Sequence, residues 1–473
     1  MKSKSLTTSI CSGYNWLERQ GSKLSTLWLI WGVYTLIVIV FAWRHEPWYD
    51  EYHAWGMVNR MDFIQLWNAM RKEGHFIFWH MCLWPFVKWF GMDWRALYCV
   101  SVPLMSLAAW LLLFRVRFPF FGKLLVVFSA PFFYFYAVIA RCYALIPPIL
   151  MGLASLYQQK KRPVLYCLLL GLLANTHAYI EGLVGILWCL FVYKEVWQEW
   201  KKHPQKAKCN LMAAMLTLLF VLIALLQVIG GLVDVSQGHN PPGEGINSAE
   251  QWLTVFYGGY HILFFDWLHS RVSYLIPNLD LVITLFCYII LIICIYKTII
   301  SDGKKKEWLL LLFCGLGWQI FFATNLYGMN WHRIGMLYFV LVFVFLLYGQ
   351  KAKYLIVCLS VLWLLNTQQN YKIVKDLWRT YDMSIYWAKD IEELIPNNAI
   401  LFSNTFELND LIQVSKSKIW NVDVQQQIEK TSNIDCWLLT YYGSVETTGL
   451  TNAGCSVDTV YSNCCYNLYH IIK

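Results

Sequence analysis

The chain has 473 residues, 58% of them hydrophobic and 14% charged, with a formal net charge of +9. A mean hydropathy of +0.44 is too apolar for a soluble fold of this length and excludes a water-soluble globular enzyme or a disordered chain. The basic residues fall in short clusters between apolar runs, so they read as determinants of membrane topology, and no nucleic-acid partner is expected. The fold class read from this pattern is an all-α polytopic membrane bundle with juxtamembrane helices and a small C-terminal α/β extracytoplasmic domain.

In chain order, Lys2, Lys4, Arg19 and Lys23 precede "LWLIWGVYTLIVIVFAW", long enough to remain as a first span, and no cleavable signal peptide is evident. Further spans are expected at 95–114, 119–138, 142–157, 163–177, 178–193, 210–231, 278–300, 308–324, 334–349 and 353–367, after the first at 25–43. The run 76–90, "FIFWHMCLWPFVKWF", is short and interrupted by His80, Pro85 and Lys88. Charge decides its placement. With the N-terminus cytoplasmic and loop 44–94 wholly outside, Arg115, Arg117 and Lys123, then Lys160, Lys161 and Arg162, then Lys194 to Lys208, Lys304 to Lys306, and Lys351 with Lys353 all face the cytoplasm. Letting 76–90 cross would turn those clusters outward. About eleven spans are therefore expected in the plasma (cytoplasmic) membrane. The long loop 232–277 and the tail then lie outside, giving a transmembrane module at 1–367 and a small extracytoplasmic α/β domain at 368–473.

Between the first span and 76–90, Met57, Met61, Ile64, Trp67 and Met70 recur at three- and four-residue steps, so 52–72 reads as one helix lying in the interface. In the tail, "MSIYWAKDIEELIP" reads as an amphipathic helix stopped by Pro396. "AILFS", "KIWNVDV", "CWLLTYYG" and "YNLYHIIK" read as strands. The tail carries no glycine-rich nucleotide fingerprint or P-loop, and an accessory role suits it. The 15 cysteines follow no CxxC pattern. In an external tail, Cys436 or Cys455 is expected to pair with Cys464 or Cys465.

With that topology, polar residues collect at one membrane face. Asp50, Glu51 and His53 ("WYDEYHAW") and His75 lie in the first external loop, and Arg141 and Tyr143 ("ARCYALIPP") at the next turn. His177 and Glu181 ("NTHAYIEG") follow, then Tyr327, Asn330, His332 and Arg333 ("YGMNWHRIG"). An ionisable side chain at a helix centre costs about 2.5–3.5 kcal/mol, so membership of this set says more than any one residue. Each also has a bland reading: solvated loop carboxylates for Asp50 and Glu51, snorkelling to headgroups for Arg141 and Arg333, an i,i+4 helix-end pair for His177 and Glu181. A divalent metal on Asp50, Glu51 and His53 is chemically open, but the spacing has no strong ligand pattern. Together, carboxylates and external arginines suggest a place where an anionic lipid headgroup meets a polar substrate.

The chain resembles the GT-C-type membrane glycosyltransferases and is similar to the protein O-mannosyltransferases and the lipid A aminoarabinose transferases. The resemblance lies in the aromatic-rich "DE" loop after the first span, the juxtamembrane helix, "GHFIFWHMCLWPFVKWFGMDWRALYCVSVPL", "ARCYAL", "THAYIEGL" and "HRIGMLY". It implies a sugar carried on a polyprenyl phosphate and transferred to an acceptor hydroxyl of a lipid, glycan or protein outside the cytoplasm. It further implies Asp50 as catalytic base with Glu51 in support. Arg141, Arg333, His75 and His80 would hold the donor phosphate, and Tyr52, Tyr143, His177, Glu181 and His332 the substrate. Many relatives carry an acidic residue soon after the arginine of the second external loop; here Cys142 and Tyr143 stand there, so no metal or other cofactor is expected. His75 stands where the family has a lysine-proline stretch. Two other readings compete. An O-antigen-type polymerase or ligase would use loop 232–277, but its carboxylates would sit in a late loop. A lipid or sugar-lipid transporter would place its ionisable residues near mid-membrane.

Overall fold

The computed structural model describes residues 6–45, 49–73, 76–159, 162–236, 305–325 and 331–348 in continuous runs, with Pro47 and scattered positions in 286–300, 354–360 and 391–430. In the C-terminal region it describes 399–403, 416–419, 433–441, 448–462 and 466–473. The expected spans at 278–300 and 353–367 lie only partly within these residues, and nearly all of loop 232–277, with His75, Tyr327 and Asn330, lies outside them. The chain divides into two compact units, one of Met1–His45 with Met61–Arg379, the other of Glu46–Arg60 with Thr380–Lys473.

The first unit is helical. It runs through α1 (Leu6–Gly21) and α2 (Leu24–Arg44), and after α3 (Tyr49–Arg60), which belongs to the second unit, through α4 (Phe63–Glu73), α5 (Phe78–Trp84) and α6 (Ala96–Trp110). Then come α7 (Phe120–Val127), α8 (Ile146–Gln159), α9 (Pro163–Ala174), α10 (Glu181–Phe191), the short α11 (Gln198–Trp200), α12 (Pro204–Ser236), α13 (Lys305–Asn325) and α14 (Trp331–Tyr348). Helix α2 shows why these segments suit hydrocarbon. Tyr34, Val38 and Ala42, four residues apart, form one buried stripe, while Leu29, Val33, Leu36 and Val40 stay exposed. Thr35 Oγ1 lies 2.8 Å from Ser106 Oγ and Trp31 donates to the Ser106 carbonyl at 3.0 Å, fixing α2 against α6. Helix α12 likewise buries Ala213, Ala214 and Ala224 and exposes Met212, Met215, Leu219 and Leu222.

Among the described residues, Leu24–Arg44, Ala96–Arg115 and Pro204–Gln227 are long and apolar enough to cross a membrane, while Pro163–Ala174 and Gly335–Leu347 are apolar but shorter. The segment 119–138 is not one helix as expected. Helix α7 lasts eight residues, Ser129 turns back to bond the Val126 carbonyl at 2.7 Å, and a π turn starts at Pro131, whose ring nitrogen has no hydrogen to donate. The run 76–90 forms α5 and a π turn, Pro85–Trp89, together about 18 Å of helix, too short for a hydrocarbon core of about 30 Å.

The expected single helix over 52–72 is two helices. Gln65 N–H bonds Asp62 Oδ1 at 2.8 Å and Asp62 N–H bonds Gln65 Oε1 at 3.0 Å. This reciprocal capping box starts α4 and ends any continuation from α3. The exposed face of α4 includes Ile64, whereas Leu66 and Met70 are buried, and α4 packs on α12.

Glycine sets one close approach in this unit. A Cβ on Gly182, near the start of α10, would stand 2.2 Å from Trp318 Cβ and 2.6 Å from the Cys314 carbonyl oxygen of α13. We expect Gly182→Ala to destabilise the protein by about 1–3 kcal/mol through overpacking, read as a lower melting temperature in detergent; an unchanged melting temperature would contradict the α10–α13 packing.

The second unit holds a five-stranded mixed sheet in the order β2-β1-β3-β5-β4. Its strands are β1 (Ile400–Ser403), β2 (Lys416–Ile419), β3 (Asp435–Tyr441), β4 (Ser456–Ser462) and β5 (Tyr466–Ile472). The β1 strand runs parallel to β2 and β3, whereas β5 runs antiparallel to β3 and β4. Ile428, Cys436, Leu438, Leu450, Cys455 and Ile471 form its core. Cys436 and Cys455 are buried free thiols, not the disulfide partners expected from the sequence, and Cys464 and Cys465 lie outside the described residues. Burial pushes the Cys436 thiol up to about 12, with Asp435 and Cys455 adding to it. At pH 8 a maleimide is therefore expected to label exposed Cys209 and spare Cys436 in the folded protein. Comparable labelling of both, read by peptide mass spectrometry, would contradict this core.

Candidate functional site

The candidate residues divide between the two units. Asp50 and Glu51 occupy the first turn of α3 in the second unit, where a carboxylate is favoured by the helix dipole. Asp50 is exposed and Glu51 fully buried, and the next residue, Tyr52, is 1% exposed. His53 is half-buried. Neighbours on a helix point about 100° apart, so one turn can hold one carboxylate in water and the other in the interior.

In the first unit, Arg141, Tyr143 and His177 come together. Arg141 sits in extended backbone just before a 3₁₀ turn, Cys142–Leu145, that leads into α8. It is 8% exposed, and its Cζ lies 5.2 Å from the centre of the Tyr143 ring. The Tyr143 ring stacks on Tyr136 at 5.4 Å and meets the His177 ring at 5.3 Å, and Tyr136 stacks in turn on Phe339 of α14 at 4.7 Å. The guanidinium therefore lies on a rigid aromatic platform, an arrangement worth about 0.5–2 kcal/mol as cation–π attraction.

His177 caps the 3₁₀ turn Ala178–Ile180, its Nδ1 accepting from the Tyr179 N–H at 3.2 Å. In the neutral imidazole that bond assigns the proton to Nε2. Trp318 Nε1 donates to the Ala178 carbonyl at 2.8 Å, tying the turn to α13. Glu181 follows at the start of α10; its Oε1 is buried and accepts no hydrogen bond among the described residues.

Other candidate positions approach this cluster through their backbone or their element. His80, 4% exposed, lies on α5, which packs against the Cys142–Leu145 turn. Phe76, the residue after His75, packs with Ala178 and Ala224. His332 and Arg333 occupy the first turn of α14, three and two residues before Gly335, where a Cβ would stand 2.9 Å from the Tyr136 hydroxyl. The sequence reading missed Tyr136, Tyr179 and the buried His45, whose ring meets Tyr98 and Tyr134 at 6.3 and 6.2 Å. The aromatic run "FYFYAVIARCY" was the available signal for Tyr136. Among the described residues, no group of three or more His, Cys, Asp or Glu gathers to hold a metal ion.

No family model matches the chain, and no curated protein matches it. Solved structures similar to it include two of one protein. The crystal structure of ArnT from Cupriavidus metallidurans bound to undecaprenyl phosphate is 12% identical, with a TM-score of 0.46, over 95% of this chain and 98% of that one. The structure of the same protein in the apo state is 11% identical, with a TM-score of 0.45 over the same shares. ArnT is the lipid A aminoarabinose transferase, one of the two families that the motifs resemble.

Proposed function

We propose that this chain is a multi-pass plasma-membrane glycosyltransferase. It transfers a sugar from a polyprenyl-phosphate-linked donor to an acceptor hydroxyl on the extracytoplasmic face, by single displacement with inversion. The observation that carries the reading is the buried Arg141 guanidinium on its aromatic platform beside His177, at one end of apolar helices. Guanidinium N–H groups, a tyrosine hydroxyl and an imidazole Nε2–H are all hydrogen-bond donors. A phosphate oxyanion is what such a set accommodates, and a lipid-borne phosphate is what reaches it from hydrocarbon.

In this reading the acceptor is a lipid, glycan or protein, and no metal or other cofactor takes part. The exposed Asp50 carboxylate removes the acceptor hydroxyl proton as the new bond to the anomeric carbon forms. The bond from that carbon to the phosphate oxygen breaks, and Arg141, with Arg333 and the histidines His75 and His80, stabilises the charge gathering on the departing lipid phosphate. Glu51 supports Asp50, while Tyr52, Tyr143, His177, Glu181 and His332 orient the substrates. The N-terminus is cytoplasmic and the C-terminal domain extracytoplasmic. Clustering of the polar set at helix ends, not at mid-helix, favours an enzyme over a transporter.

The reading predicts that the purified protein separates a long-chain polyprenyl phosphate from the matching polyprenol by tenfold or more in affinity, since one charged hydrogen bond contributes about 1.5–3 kcal/mol. Native mass spectrometry in detergent measures this, and equal retention of the two lipids would rule the phosphate site out.

A further inference from the structure

A second basic site lies in the same helical unit, away from Arg141. A cavity of about 810 Å³ is lined by Arg115, Arg117, Lys123, Phe114, Phe118 and Gln158, with Ser22 and Leu27 of the α1–α2 junction at its edge. Its volume is in the range of small-ligand sites, and no carboxylate lines it. Arg115 and Arg117 are exposed, and none of the three cations forms an ion pair among the described residues.

The frame around these cations is fixed. A π turn, Leu111–Arg115, ends α6 and places Arg115 at the cavity with its Cζ 5.1 Å from the Trp110 ring. Gln158 of α8 locks the next segment. Its Oε1 accepts from the Arg117 N–H at 2.7 Å, and its Nε2 donates to the Arg117 carbonyl at 3.2 Å and the Leu346 carbonyl at 2.7 Å. The Lys123 ammonium bonds the Leu113 carbonyl at 2.7 Å, which leaves two of its protons for another acceptor. Glu18, whose charge acts on Lys123, accepts from the Phe120 and Phe121 N–H groups at 2.7 and 3.0 Å and so closes the N-terminus of α7. Phe114 meets Trp28 at 4.6 Å, and Trp28 is exposed at the start of α2 in the manner of an interfacial anchor.

The cavity stands at the opposite ends of the helices that lead to the Arg141 cluster. Helix α2 begins at the cavity and ends at His45, beside Tyr98 and Tyr134. The α6 segment begins near Tyr98 and ends at Arg115, and α8 begins after Tyr143 and ends at Gln158 and Gln159. A helix of about 20 residues spans about 30 Å, the thickness of a hydrocarbon core.

The geometry points to this cavity as a binding site for the phosphodiester headgroup of an anionic glycerophospholipid, in the leaflet opposite the proposed donor site. Three cations receive the phosphate, and the Phe114 and Phe118 rings receive the first acyl carbons. The site does not depend on the glycosyltransferase reading. Its test is lipid retention by the full-length protein in detergent, measured by native mass spectrometry with phosphatidylglycerol, phosphatidylcholine and inorganic phosphate as separate probes. Wild type should retain phosphatidylglycerol over phosphatidylcholine. Arg115→Gln and Arg117→Gln should each weaken that retention by about fivefold, and the pair by about 25-fold, while Lys208→Gln, an exposed lysine away from the cavity, should leave it unchanged. Equal retention of the two phospholipids by wild type, which needs no variant to fold, would overturn the site. So would an equal loss in Lys208→Gln, which would mean diffuse attraction. Displacement of phosphatidylglycerol by millimolar inorganic phosphate would overturn the lipid as the ligand.

Discussion

Asp50→Asn is expected to lower sugar transfer by about 10²–10⁴-fold, the range over which a positioned general base contributes, while affinity for the lipid donor stays within about twofold. The substitution keeps size and shape but removes the negative charge and with it the capacity to take a proton. Asp50 is exposed in the first turn of α3, so the amide leaves no buried charge behind and folding should be unaffected. Glu51→Gln provides the contrast. Glu51 is 0% exposed, and losing a buried carboxylate's interactions should act on stability as well as on rate. Single-turnover transfer rates and melting temperatures on the two variants separate the roles. Full activity in Asp50→Asn would remove it as the base.

Arg141→Ala is expected to weaken donor binding by tens- to thousands-fold, corresponding to the about 2–5 kcal/mol that truncating one member of a buried charged contact costs. The guanidinium is 8% exposed and lies 5.2 Å above the Tyr143 ring, so alanine removes both a charge and a packed plane. Arg141→Lys restores the charge without the planar stack and should recover only part of the affinity. Tyr143→Phe keeps the stack and should keep most of it. Titration with polyprenyl phosphate distinguishes these outcomes, and wild-type affinity in Arg141→Ala would place the phosphate elsewhere.

How much of this was legible in the sequence depended on whether a signal was local. The strands β1, β3 and β5 stand out as apolar runs between polar turns because they lie inside the sheet. The edge strand β4, exposed or half-buried along its whole length, has no apolar face to announce it, although Val457, Thr459, Val460 and Tyr461 favour a strand. The break between α3 and α4 was also written locally, in Asp62 and Gln65, but the recurring methionines masked it. Arg141, Tyr143 and His177 could be picked out as polar residues at helix ends. Their stacking could not, because Gly335 and Phe339 reach Tyr136 from α14, far along the chain. Nor does adjacency in "DE" reveal that one carboxylate is in water and its neighbour is buried. That follows from the helical rotation of α3 and from packing.

The central claim is that a sugar leaves a polyprenyl phosphate on this protein. The most direct measurement incubates purified wild type and Asp50→Asn with the polyprenyl-phosphate-sugar lipids and acceptors extracted from the cell envelope, and quantifies polyprenyl phosphate and glycosylated products by mass spectrometry. The account predicts equimolar release of polyprenyl phosphate and formation of one inverted glycosidic product by wild type, with neither from Asp50→Asn. Intact donor after incubation with wild type, or equal turnover in the two proteins, would contradict it.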